Sequence, residues 1–164
     1  MYTLEAIFAR YVTLEGVLGE FPSATLIRLP QNIGMIPIVE VLLRELEIYY
    51  QGRIKGTNPE IQKLSKSLHP DFERLIVGVE KFAQHLSHRG IVAYVEATFT
   101  GGYGGHATMI WHNGKPIDDP GNNINDVLRR LEVESQSGLD EFDTLGLGCH
   151  RTTKEWLSNS ASSP

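Results

Sequence analysis

The chain is poor in cysteine. Cys149 stands alone among 164 residues, which excludes an internal disulfide and a cysteine-rich zinc site and agrees with a reducing compartment. Long apolar runs are missing as well: nothing approaches the roughly 18 consecutive apolar residues of a membrane span, and no basic segment followed by an apolar one opens the chain. The expectation is a cytoplasmic protein with no membrane partner. Dense positive charge is also lacking. Lysine and arginine total 15 against 20 aspartates and glutamates, the net charge is −5 and the pI is near 5.7, so no basic face offers itself to phosphates and nucleic acid is not expected as a partner. Walker, HExxH and G-x-S-x-G patterns do not occur, the glycine loop at 101–105 meets a strand-like run where the dinucleotide-binding pattern needs a helix, and no cofactor or metal is expected.

What is present is an ordinary globular balance, 41% hydrophobic and 21% charged, which suits one domain over residues 1–157 with a flexible polar tail over 158–164. Leu4, Ile7, Phe8, Tyr11, Val12, Leu14 and Leu18 recur at three-and-four spacing and predict a helix over Tyr2 to Leu18. Ala24 to Leu29 reads as a short strand near a sheet edge, ended by Pro30. Met35 to Ile38 is a second apolar piece leading into a helix with Val39, Leu42, Leu43 and Leu46 inward. Gln51 to Pro59 reads as a surface loop, and Phe72 to His88 as a helix closed by Arg89 and Gly90.

The densest signal is Ala93 to Ile117, where alternating runs Ile91–Phe99 and His106–Trp111 flank Gly101-Gly102-Tyr103-Gly104-Gly105, with a further turn at His112–Lys115. Adjacent runs with a short connection predict antiparallel pairing. Asn122 to Leu131 predicts a helix with an asparagine cap. These pieces give an α+β fold: a small, mainly antiparallel sheet with a central hairpin, and helices on one face only.

Several groups invite a chemical reading, each beside a plainer one. The glycine loop can cradle an anion through its N–H groups, or simply make a wide turn that folds Tyr103 across the sheet. Strand parity sets Tyr94, Glu96 and Thr98 on one face of their run and His106, Thr108, Ile110 and His112 on one face of theirs. An open sheet face could then combine Glu96, Tyr103, His106 and Thr108 into a site, or be an ordinary solvated surface. His85 and His88 share a helix side, where complementing the helix dipole explains them more simply than a metal. Cys149 beside His150 and Arg151 suggests a thiol nucleophile, or a buried cysteine flanked by cations that neutralise Asp140, Glu141 or Asp143. Glu132, Glu134, Asp140, Glu141 and Asp143 form an acidic block that interleaved Leu139, Phe142 and Leu145 would anchor to the body, holding the charge in place for a basic partner.

Taken together, the segments Leu29–Ile38, Val92–Ala107 and Gly138–Arg151 with Trp156 resemble a family of uncharacterised bacterial proteins marked by a YVEAxFxGGxGG hairpin and a DEFDxLGLGxHR segment. The resemblance implies no catalytic residue. Related small acidic proteins are associated with immunity against secreted toxins. This chain departs from the family pattern at His106, where glutamine is usual, which weighs against a catalytic role for that histidine.

The functional expectation is a non-enzymatic binding protein, an immunity-type or regulatory partner of a cationic protein, or a self-associating one. Its binding residues would be Glu96, Tyr103, His106, Asp140, Glu141, Asp143 and Arg151. The alternative is a small hydrolase or transferase using Glu96 with His106, or Cys149 with a distal histidine.

Overall fold

The computed structural model describes residues 1–51 and 69–160. Six strands form one sheet: β1 Tyr2–Arg10, β2 Ile27–Leu29, β3 Ile33–Pro37, β4 Val92–Thr100, β5 Tyr103–His112 and β6 Lys115–Pro116. Their spatial order is β2-β3-β1-β4-β5-β6, and every neighbouring pair is antiparallel. The helices are α1 Tyr11–Leu14, α2 Val17–Glu20, α3 Glu40–Gln51, α4 Val77–Leu86, α5 Ile124–Arg130, α6 Glu141–Thr144 and α7 Glu155–Ser160. This is the α+β fold with an antiparallel sheet and a central hairpin that the sequence predicts.

The expected N-terminal helix is instead β1, the central strand, followed by the two short helices α1 and α2. Leu4, Ala6, Ile7, Phe8 and Ala9 are all fully buried because the strand is covered on both sides. A strand buried on two faces reads as a near-continuous apolar run, and such a run satisfies helical spacing by accident.

The sheet has helices on both faces. One face, with Ile7, Ala9, Ile36, Val92, Tyr94 and Trp111, packs against Leu42, Leu43 and Leu46 of α3 and Val79, Phe82 and Leu86 of α4. The other, expected to lie open, carries Leu4, Ala6, Phe8, Met35, Ala93, Val95 and Ile110 beneath Ile124, Val127 and Leu128 of α5, then Leu145, Leu147 and Trp156. Short helices suffice for this second layer because each contributes only a few apolar side chains. Trp156 lies in the first turn of α7. The predicted edge strand is β2, and the loop expected over 51–59 lies outside the described residues apart from Gln51, the last residue of α3.

The glycine segment is a much tighter turn than a five-residue loop. Thr100 pairs with Tyr103, leaving only Gly101 and Gly102 between the strands, with φ of +55° and +83°. Both values suit the primed turns whose twist matches a hairpin, and glycine takes them without a Cβ penalty. Gly104 and Gly105 belong to β5, and the Phe99 ring lies against Gly104 where a side chain would overlap it. Asn113 and Gly114, at +52° and +79°, form the second such turn, between β5 and β6.

Candidate functional site

Turn length decides which side chains can meet. Closing the hairpin at Thr100 and Tyr103 places Glu96 opposite Ala107 and His106 opposite Ala97. Directly opposed residues share a face, so Glu96 and His106 lie on opposite faces of the sheet. A hairpin closed by Thr100 and His106 would have joined them. The site of Glu96, Tyr103, His106 and Thr108 expected on one open face is therefore not assembled.

Each member has its own surroundings. Glu96 accepts hydrogen bonds from the backbone N–H groups of Glu73 (2.8 Å) and Arg74 (2.6 Å) and from the Tyr94 hydroxyl (2.9 Å), which pins the chain entering α4 to the sheet. Tyr103 stands at the hairpin tip, 85% exposed, rather than folding across the sheet. His106 packs edge-on against Phe99 with ring centroids 4.8 Å apart; its Nδ1 is buried without a hydrogen-bond partner, and burial lowers its pKa. Thr108 donates its hydroxyl to the carbonyl of Gly121.

Beside Glu96 the fold sets a group that sequence patterning does not bring forward. Glu5 of β1 is the cross-strand neighbour of Glu96, and its carboxyl is pushed up to about 6, chiefly by burial, with Arg74 opposing the shift and Glu96 and Glu73 adding to it. Arg74 lies 3.9 Å from Glu5 and 3.5 Å from Glu40. Two neighbouring carboxylates in unlike environments are the raw material of acid–base chemistry, but the bonds to Glu96 account for its place in structural terms. The available signal was a lone glutamate within Leu4-Glu5-Ala6-Ile7, an acid inside an apolar strand.

Cys149 is exposed, contrary to the buried alternative, and the His150 ring packs edge-on against Trp156 at 4.6 Å. Arg151 engages through its main chain, donating N–H to Glu155 and accepting from Thr3. Glu141 is neutralised by Arg129 of α5 at 2.8 Å, where the sequence had suggested His150 or Arg151. His85 meets Glu20 at 2.8 Å, and among the described residues no group of three or more histidine, cysteine or acidic side chains is placed to hold a metal.

The acidic block lies on the helical layer of the second face. Asp140 caps α6 by accepting from the N–H of Asp143 and also receives the Asn125 amide, while the N–H of Phe142 donates to Asn125. These bonds, with buried Leu145 and half-buried Phe142, hold α6 against α5, whereas Leu139, expected to help anchor the block, is exposed. Asp118, Asp119, Glu132, Glu134, Asp140 and Asp143 are all exposed. A surface cleft of about 420 Å³ beside α5 is lined by Asp119, Gly121, Asn122, Asp126, Arg129 and Arg130. Its arginines are engaged: Arg129 with Asp126 and Glu141, and Arg130 with the carbonyl of Asp119. Among the described residues no helix is long and apolar enough to cross a membrane.

No family model matches the chain, and neither the curated proteins nor the solved structures give a match.

Proposed function

We propose that the protein is a non-enzymatic binding protein whose α5–α6 layer receives a cationic protein partner. The observation that carries this reading is the segregation of charge. Residues 117–150 hold eight carboxylates and two arginines, a net −6 in a chain whose total is −5, so the rest of the chain is close to neutral. Both arginines there are committed to neighbours within the layer. An anchored field of one sign speeds and orients the approach of an oppositely charged surface. A secreted toxin with a basic face is the partner class that the quoted hairpin and DEFD segments suggest, and the reading is cytoplasmic. The enzymatic alternative loses its main support once Glu96 and His106 occupy opposite faces.

The test compares the natural chain with a Glu132→Lys, Glu134→Lys, Asp143→Lys variant against a panel of purified basic bacterial toxins. All three positions are exposed, so folding should be little changed. Binding should weaken by at least tenfold in the variant, and in the natural chain should fall steeply with added salt. Equal binding by both proteins would refute the assignment to this layer.

A further inference from the structure

Strand β5 ends the sheet along most of its length. Only its last two residues pair with β6, at Trp111–Pro116 and His112–Lys115, and the N–H of Ile117 then donates to the carbonyl of Ile110 at 2.7 Å. Along an antiparallel strand, successive residues direct their main-chain polar groups to alternate sides. Since Ile110 faces outward, Thr108, His106 and Gly104 do so too. Among the described residues no backbone hydrogen bond reaches these three from outside the hairpin.

Natural sheets blunt such edges with charge, proline or a bulge. Residues 103–109, Tyr-Gly-Gly-His-Ala-Thr-Met, have no charge and no proline, and their register with β4 runs unbroken. We propose that this edge is a self-association interface, at which β5 of a second copy pairs antiparallel about a two-fold axis at His106 to make one continuous sheet.

The occupant follows from the register. Among the described residues the free groups belong to 104, 106 and 108, bounded by the Gly101–Gly102 turn at one end and by Ile117 at the other. Reversing this run about His106 sets Gly104 against Thr108, His106 against His106 and Thr108 against Gly104, so every free group finds its complement in about six interchain hydrogen bonds. Tyr103 of each copy then meets Met109 of the other, covering a ring that is 85% exposed in one protomer. Gly105 meets Ala107, a small pair that lets the strands close. The absence of charge also favours a copy over a foreign strand. Two chains of net −5 can meet here without opposing like charges, whereas a cationic peptide would find its carboxylates on the α5–α6 layer instead. The proposal does not depend on the acidic layer having a partner.

Sedimentation of the natural chain from micromolar to millimolar concentration should reveal a monomer–dimer equilibrium. Amide exchange at Gly104, His106 and Thr108 should slow as the dimer fills. Gly105→Lys places charge in the interface at a position where an added Cβ meets nothing within 4 Å, and His106→Pro deletes the central N–H of each copy. Either change should weaken dimerisation at least tenfold with the circular dichroism of the monomer retained; if His106→Pro fails to fold, Gly105→Lys decides. A chain that stays monomeric throughout with these amides exchanging freely would overturn the proposal. So would a dimer untouched by Gly105→Lys, or an edge protected only when a different protein is added.

Discussion

Glu5 carries a charge at neutral pH that the fold disfavours. Its side chain is only 18% exposed, and its carboxyl is raised from 4.5 to about 6 by burial more than Arg74 can offset. The folded chain therefore binds the proton more tightly than the unfolded one, and this contribution to stability is full below pH 4.5 and lost as pH rises through about 6. Removing the charge with Glu5→Gln should raise stability by about 1–2 kcal/mol at pH 8 and by little at pH 4. Urea unfolding at both pH values checks this; an equal effect at the two would show that the carboxyl does not titrate as described. At this scale local pattern is an uneven guide. Asn123 caps α5 as its type and place suggest, accepting from the N–H of Asp126, because a cap depends only on neighbours three residues apart. The environment of Glu5 depends on Arg74, Glu73 and Glu96, contacts across long sequence separations that no local pattern encodes.

Elements were legible where one face met water. In α5, Ile124, Val127 and Leu128 are buried while Arg129 and Arg130 are exposed, so period and exposure agree. In β1 both faces are buried and the alternation that marks a strand is erased. The β4–β5 hairpin was legible as a pair of strands, but its turn was not, since four glycines around one tyrosine fit a two-residue or a five-residue connection equally well. The conformation of Gly102 now makes the difference testable. At φ +83° a β-branched residue is strained, so Gly102→Val should cost about 1–2 kcal/mol, whereas Gly102→Asn should cost well under half as much. Thermal melts of the two variants measure this, and equal losses would mean that position 102 does not occupy the left-handed region.

For the molecule as a whole, a single antiparallel sheet separates two helical layers with different surface chemistry. The layer of α3 and α4 supports Glu96 through the chain entering α4, and the layer of α5 and α6 concentrates the negative charge. The sheet between them keeps Glu96 and His106 apart, so a hydrolase site built on that pair is not assembled. The acidic block was visible in the sequence; its attachment through Asp140, Asn125 and the Arg129–Glu141 pair was not, because it needs the packing of α6 on α5. The most direct test of this separation is the set of cross-strand Hα–Hα nuclear Overhauser contacts in the hairpin. Strong contacts are expected for Val95–Thr108, Ala97–His106 and Phe99–Gly104, the closely spaced pairs of the two-residue turn. Contacts of Thr98 with Thr108 or Glu96 with Ile110 in their place would contradict the account, returning Glu96 and His106 to one face and the enzymatic reading with them.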